Sequence, residues 1–280
     1  MDVSIVVPFH NEEKHIEECI QTLLSLDYPK DRYEILMVDN NSTDRSVEIV
    51  KSYPEVHLLH EKNQGDFAAR NLGVASSRGE IIAFTDSDTA PCPDWLNQAM
   101  DAMSNPETVL VVGNLQFSSA SVAMNLLRDY EAEKNRFIFS SHDPEIYYGY
   151  TCNMIVRRSV FDQLGLFPEV YRNSDVVLVR RAVDAFSCDS VSYGEKVSVR
   201  RLEVASVRDY VTKQHVYGRD LNRYSSIANA RPLSAGERFH VYRSALRHYR
   251  YSPFIAVYLF ALLVLGVIGY ESGRLRGIRF

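Results

Sequence analysis

The sequence predicts an α/β fold: a mixed, mostly parallel sheet with helices on both faces, then an amphipathic helix and a membrane helix. Three observations predict it. Continuous apolar runs alternate with helix-patterned stretches through about residue 85. Each of those apolar runs ends in polar or acidic residues. A charge-free stretch of twenty residues lies between Arg250 and Glu271. Wholly apolar strands suit a sheet covered on both faces, and strand–helix alternation at this spacing builds βαβ units.

Taken in order, VSIVV (residues 3–7) reads as a buried strand. A helix follows it, with Ile16, Cys19, Ile20, Leu23 and Leu24 at helical spacing. YEILMVDN is the second strand and STDRSVEIVKSY the second helix, with Ser42 to Arg45 supplying N-cap residues. VHLLHE, GDFAARNLGVASS and EIIAFTD continue the alternation. After Trp95 the pattern loosens: VLVVGNLQF and NMIVRR are strands, while VAMNLLRDYEAEKNRFIF and SDVVLVRRAVDAF are helices. A Tyr- and Arg-rich stretch then runs to about residue 231.

Composition bounds the partners. Residues 1 to 230 carry a net charge of −11 and residues 231 to 280 a net of +6. The acidic bulk argues against nucleic acid, and the basic end points to an anionic surface. Cys19, Cys92, Cys152 and Cys188 form no CxxC pair, which predicts a reducing compartment rather than a disulfide framework. The N-terminus has no basic region before its apolar run and no small-residue cleavage site, so no signal peptide is expected.

In parallel sheets ligands bind beyond the carboxyl ends of the strands. Here those ends are Pro8 to Glu12, Asp39 to Asp44, Asn63 to Asp66 and Asp86 to Asp88. Read singly, each is a cap or turn; together they form one acidic edge. Asp86 and Asp88, two apart at the end of a buried strand, would point the same way if the chain stayed extended. A hard divalent cation, Mg²⁺ or Mn²⁺, would offset their repulsion and take its remaining ligands from substrate phosphates.

Five segments in order resemble family 2 glycosyltransferases, inverting enzymes of the GT-A fold. They are VSIVVPFHNEEKHIEECIQTLL, EILMVDNNSTDRSVEIV, NQGDFAARNLGVASSRGEIIAFTDSDTAPCPDWL, CNMIVRRSVFDQLGLFPE and NSDVVLVRRA, over about residues 3 to 185. The resemblance implies a nucleotide diphosphate sugar donor. Pro8 and Glu12 would then border the base and ribose, and Asp39 would accept a hydrogen bond from the base. Arg70 would face the base or diphosphate, Asp86 the ribose and metal, and Asp88 would be the principal metal ligand.

Asp175 matches the family's general base; its alternatives are a helix N-cap role for Asp175 itself, and Asp184 or Asp189 as the base. Ser174 stands where the family usually has Glu, which also leaves open a catalytically silent binding module. The Gln-x-x-Arg-Trp signature of processive synthases is missing, so the expectation is transfer of one sugar. A nucleotidyltransferase is the other enzyme reading, but VVPFHNEE lacks the Gly-rich basic loop it would need.

The expected division is a catalytic domain over residues 1–231, an amphipathic interfacial helix at 232–250, a spanning or re-entrant helix at 251–270 and a basic tail at 271–280. SAGERFHVYRSALRHYR has Ser234 and Glu237 in capping-box spacing and an aromatic face flanked by Arg. YSPFIAVYLFALLVLGVIGY is long enough to cross a bilayer core and has Tyr near both ends. Arg on both sides leaves its orientation open. These features predict a membrane-associated protein with a cytoplasmic catalytic domain and a lipid-linked or saccharide acceptor. A chain ending near Pro232 is expected to be soluble and to bind nucleotide.

Overall fold

The computed structural model describes every residue except 120, 169–172, 229 and 278–280, and the side chains of 220–228 and 277 are likewise outside the description. Glu169 of the fourth quoted segment and Arg279 of the basic tail therefore lie outside the described residues. The chain runs β1 (Val3–Phe9), α1 (Ile16–Leu24), β2 (Tyr33–Asp39), α2 (Ser46–Lys51), β3 (His57–His60), α3 (Asp66–Ser76), β4 (Ile81–Thr85), β5 (Thr89–Pro91) and α4 (Trp95–Ala102). It continues with β6 (Leu110–Phe117), α5 (Val122–Ser140), β7 (Asn153–Arg157), α6 (Arg158–Leu164), α7 (Ser174–Ala185), β8 (Val191–Arg201), α8 (Val207–Ala228), α9 (Ala235–His248) and α10 (Pro253–Gly277).

Among the described residues, eight strands form one sheet in the order β3-β2-β1-β4-β7-β6-β8-β5. The pairs β1–β2, β1–β4 and β2–β3 are parallel, while β4–β7, β6–β7 and β5–β8 are antiparallel. These parallel pairs lie among the first four strands, each of which is joined to the next by a helix. Strand order reverses between β1 and β4, the kind of switch point where such sheets open a crevice.

Alternation along β1 sets the two faces. Ile16, Ile20 and Leu23 of α1 share one core with Val3, Ile5 and Val7, and with Trp95 and Leu96 of α4. On the opposite face α3 lies so close that a Cβ on Gly73 would strike the Val6 side chain. Phe84 of β4 meets Phe161 and Phe167 edge-on there, at 6.0 and 5.2 Å between ring centres. At the amino end of the sheet, buried Glu34 ties three segments together. It accepts from Ser4 Oγ at 2.6 Å, from the Arg78 backbone N–H at 2.7 Å and from Arg78 Nε at 2.8 Å.

The chain divides into two compact units, Met1–Leu115 with Tyr148–Leu202, and Gln116–Tyr147 with Glu203–Phe280. The second unit has its own apolar core. Leu127 and Tyr130 of α5, Val241 of α9, and Leu259 and Leu262 of α10 bury one another in it. The capping box at the start of α9 is present: Ser234 N–H donates to Glu237 Oε2 at 2.6 Å and Glu237 N–H to Ser234 Oγ at 3.3 Å. A chain ending near Pro232 would lack α9 and α10, whose Val241, Leu259 and Leu262 cover the apolar face of α5.

Candidate active site

The four parallel strands end on one edge, and their ends carry most of the residues singled out in the sequence. Registers pair Phe9 with Asp39 and Asp39 with His60, so β1, β2 and β3 finish nearly level. Pro8 is the penultimate residue of β1 and is half-buried, as is Glu12 beyond the strand. Glu12 is held through its backbone, whose N–H donates to Ser46 Oγ at 2.8 Å.

Asn11 takes the left-handed conformation, with φ 55°. Its side-chain oxygen accepts from the Thr43 N–H at 2.7 Å and the Asp44 N–H at 3.3 Å. Asn11 thereby fastens the loop Ser42–Arg45. α2 begins at Ser46 with Arg45 as its N-cap residue, and Asp44 Oδ1 accepts from the Ser46 N–H at 3.0 Å, so the expected cap lies within this stretch.

Asp39 is buried and already engaged. Oδ1 accepts from Ser42 N–H at 3.0 Å, and Oδ2 lies 3.2 Å from His60 Nδ1. A carboxylate has about four acceptor positions, so capacity for a base N–H remains. Asn40, next to it, clamps the loop leading into α3. Its amide nitrogen donates to the carbonyls of Glu61 and Asn63, and its oxygen accepts from Gly65 N–H at 2.9 Å. Gly65 holds φ 135°, a conformation glycine alone adopts readily, and so delivers α3 and Arg70 to the edge.

Arg70 Nη2 donates to Asp86 Oδ1 at 3.2 Å, and Arg70 itself is 8% exposed. Its Nε is buried without a hydrogen-bond partner. Burial works against the guanidinium charge, but Asp86, Asp66 and Asp175 outweigh it and raise the Arg70 pKa. Arg70 therefore offsets the Asp86 charge in the protein alone.

The two carboxylates do not project from an extended strand, as the i, i+2 argument assumed. Asp86 to Thr89 is a tight turn: Thr89 N–H donates to the Asp86 carbonyl at 3.2 Å, and Thr89 Oγ1 lies 2.7 Å from the same oxygen. Thr85 Oγ1 sits 2.6 Å from Thr89 Oγ1 and 3.1 Å from the Cys152 carbonyl, so a buried hydroxyl pair props the turn from below. The Asp88 carbonyl accepts from Leu202 N–H at 2.8 Å, joining the turn to the end of β8. Both acidic side chains stay partly accessible.

Asp175 opens α7. The N-cap is Asn173, so Asp175 is a first-turn residue and not the cap. Its Oδ1 accepts from Val176 N–H at 2.9 Å and its Oδ2 from Thr151 N–H at 3.4 Å. Burial pushes its carboxyl above the usual range, and the Asp86 charge adds to this. Arg70 and the two N–H bonds pull the other way. Ser174 is buried beside it. Asp184 is 64% exposed at the far end of the helix, in an ion pair with Arg180 at 3.3 Å. Asp189 lies in the turn Cys188–Ser190 beyond that end.

The sheet also brings in residues the sequence did not single out. Cys152 is buried: burial raises its thiol pKa, Arg201 opposes, and Asp86, Asp88 and Asp175 add to the rise. One thiol thus senses all three carboxylates and Arg201. Arg201 ends β8 opposite Thr89 in the ladder. The signal available for it was the apolar–polar alternation of VSVRR, whose final arginine closes a strand.

Oxygen donors alone, two carboxylates beside a guanidinium, suit a hard cation that keeps waters and takes phosphate oxygens as its other ligands. Among the described residues no group of three or more His, Cys, Asp or Glu is placed to hold a metal.

The glycosyl transferase family 2 model matches residues 4–165, and the chain belongs to that family. Glycosyltransferase AglE of Haloferax volcanii is 33% identical over 189 residues, which is 65% of this chain and 62% of AglE. The putative glycosyltransferase EpsH of Bacillus subtilis is 31% identical over 57% of this chain and 48% of its own length. The alignments thus span less than two thirds of either relative. Among solved structures, the mannosyltransferase PcManGT of Pyrobaculum calidifontis, in complex with GDP-Man and Mn²⁺, superposes with a TM-score of 0.67. It is 18% identical and the match covers 99% of this chain and 87% of that one. TarS 1-349 of S. aureus superposes at 0.56, with 17% identity over 98% and 90%. The fold is that of the GT-A glycosyltransferases.

Proposed function

We propose that the protein transfers one sugar, with inversion, from a nucleotide diphosphate sugar to an acceptor hydroxyl. The observation that carries the reading is the convergence of Arg70, Asp86 and Asp175 at the carboxyl ends of the strands, with Asp88 in the same turn as Asp86. Pro8 and Glu12 border the base and ribose, Asp39 accepts from the base, and Arg70 balances the acidic edge beside the diphosphate. Asp88 and Asp86 would hold the divalent cation, which when bound supplies charge neutralisation for the departing diphosphate.

Asp175 takes the proton from the acceptor hydroxyl as that oxygen bonds to the anomeric carbon. The bond from that carbon to the diphosphate oxygen breaks on the opposite face, and its electron pair leaves with the nucleoside diphosphate. A carboxyl raised by burial is, once ionised, a stronger base than an ordinary aspartate. Arg201 pairs with Thr89 in the ladder, so a second cation stands close to the turn.

Support for the donor class comes from structural neighbours holding GDP-Man, UDP-GlcNAc and UDP-Glc. The acceptor is a lipid-linked or membrane-proximal saccharide, and the catalytic unit faces the cytoplasm. One helix among the described residues, Pro253–Arg276, is long and apolar enough to cross a membrane. Its neighbours 232–250 and 271–280 would supply the basic flanks of that attachment.

The test is a thermal-shift panel of nucleoside diphosphates with and without Mn²⁺, run on the full chain and on Asp88→Ala. Ligand binding to the folded state alone raises Tm by mass action. The reading expects one base class to stabilise the wild type only with Mn²⁺, and the Asp88→Ala protein to lose that shift while staying folded. Equal Mn²⁺-dependent shifts in both proteins would remove Asp88 from the metal site.

A further inference from the structure

We propose that α10 lies flat within one leaflet of an anionic membrane, with α8 on its water side, rather than crossing the bilayer. The proposal rests on the membrane attachment proposed above and specifies its geometry.

The helix has two unlike sides. Leu259, Leu262, Gly266, Gly269 and Gly273 are buried, spaced 3, 4, 3 and 4 residues apart, and so form one stripe. Phe254, Val257, Phe260, Val264, Leu265 and Ile268 are exposed on the remaining surface, Phe254 to 88%. A helix surrounded by lipid has no need of such a division. A helix between protein and lipid has.

The buried stripe is filled by backbone. A Cβ on Gly273 would land on the His215 carbonyl, and one on Gly218 of α8 would land on the Tyr270 carbonyl. A Cβ on Gly269 would sit 2.9 Å from the Val211 carbonyl oxygen. The two helices touch main chain to main chain at Gly269 and Gly273, and Tyr210 packs on Gly266, so α8 goes wherever that part of α10 goes.

α8 does not suit hydrocarbon. Arg208, Asp209, Lys213 and Arg219 lie on the same stretch of α8 as the contact residues Val211, His215 and Gly218. Lys213 pairs with Glu203, and Tyr210 donates to Glu131 of α5 at 3.0 Å. Each charged residue at mid-bilayer costs about 2.5–3.5 kcal/mol on insertion scales. Crossing therefore either drags several charges into the core or tears α10 from its closest partner. Lying in the plane avoids both, with the apolar side sunk about 5–10 Å into the headgroup–acyl boundary.

The rim fits an anionic leaflet. Phe239 and Tyr242 of α9 extend the apolar surface, with ring centres 6.2 Å apart and Tyr242 5.9 Å from Phe260. Arg243, Arg247 and Arg250 are exposed on the α9 side, and Arg274 and Arg276 beyond the other end. Arginines bordering aromatic and aliphatic residues match phosphate headgroups over acyl chains.

The test uses the full chain with Cys92 and Cys188 replaced by serine, and single cysteines placed at Val257, Val264 or Ile268. Each is labelled with an environment-sensitive fluorophore and mixed with phosphatidylcholine vesicles, with and without phosphatidylglycerol. Depth is read from quenching by spin-labelled lipids. The proposal expects all three labels at one shallow depth, stronger binding with phosphatidylglycerol, and at least a tenfold loss of binding in Leu265→Lys/Ile268→Lys. A label at 264 near the bilayer centre, with one at Leu275→Cys reached only from the side opposite the catalytic unit, would overturn the flat geometry and leave membrane attachment standing. No vesicle binding, or a lipid-free dimer that shields all three labels, would overturn both.

Discussion

Arg70 Nη2 donates to Asp86 Oδ1 at 3.2 Å, and this one bond joins α3 to the acidic turn after β4. It places a buried guanidinium beside the Asp86 carboxylate, so the edge is not left strongly anionic. Replacing Arg70 with leucine removes a charge-assisted bond and leaves Asp86 uncompensated. Such bonds contribute about 1.5–3 kcal/mol, so donor affinity should fall roughly 10- to 100-fold. Calorimetric titration with nucleoside diphosphate at fixed Mn²⁺ checks it; unchanged affinity would show that Arg70 only supports the turn.

Glu34 offers a stability test away from the chemistry. Burial alone would raise its pKa, but Ser4 and Arg78 outweigh that and hold it below the ordinary value. A lowered folded pKa means stability that is present above the unfolded pKa and lost as pH falls through the folded one. Glu34→Gln should lower Tm at pH 7 by several degrees, as about 1.5–3 kcal/mol predicts for a chain of this size. The gap between variant and wild type should narrow in acid. A gap independent of pH would mean that the loss is one of packing rather than charge.

The segment after residue 232 should prove necessary for a folded second unit. Ending the chain there uncovers Leu127 and Tyr130, and removes Glu237, whose pKa the Arg231 side chain draws down to about 2. Size-exclusion chromatography should show the shortened chain aggregating. A monodisperse shortened chain with unchanged helix content would show α5 stable alone.

Much of the site was legible because its residues follow strands whose apolar runs are plain. Pro8, Glu12, Asp39, Arg70, Asp86, Asp88 and Asp175 all lie in the unit that holds the sheet edge. What escaped depends on tertiary contacts. The period-2 argument for Asp86 and Asp88 presumed extension, whereas Thr85 and Thr89 close a turn there. Ser42 to Arg45 read as cap residues, and Asp44 and Arg45 do stand at the start of α2, but Asp39, Asn11 and Glu13 accept from their N–H groups and shape the loop. β8 hid because Gly194 and the Glu195–Lys196 pair interrupt its alternation, and Arg201 hid with it. The glycines of α10 had a counterpart only once α8 was folded against them.

Asp175 should also leave a pH signature. Its raised pKa places the acid limb of the transfer rate above the pH at which an ordinary aspartate titrates. For a carboxyl raised on folding, the stability contribution is full below the unfolded pKa and lost as pH rises through the folded pKa, so the ionised group destabilises near neutrality. Asp175→Asn should then raise Tm at pH 7, with a gain that vanishes in acid. A lowered Tm at pH 7 would mean that the bonds to Thr151 and Val176 dominate.

The most direct test of the account measures donor binding and sugar transfer side by side in Asp175→Asn, using the donor identified by the thermal-shift panel. A positioned general base contributes about 10²- to 10⁴-fold. The account predicts wild-type donor affinity with transfer reduced by at least about two orders of magnitude, while Asp184→Asn and Asp189→Asn stay near wild type. Near wild-type transfer by Asp175→Asn, with loss in either of the other two, would contradict it.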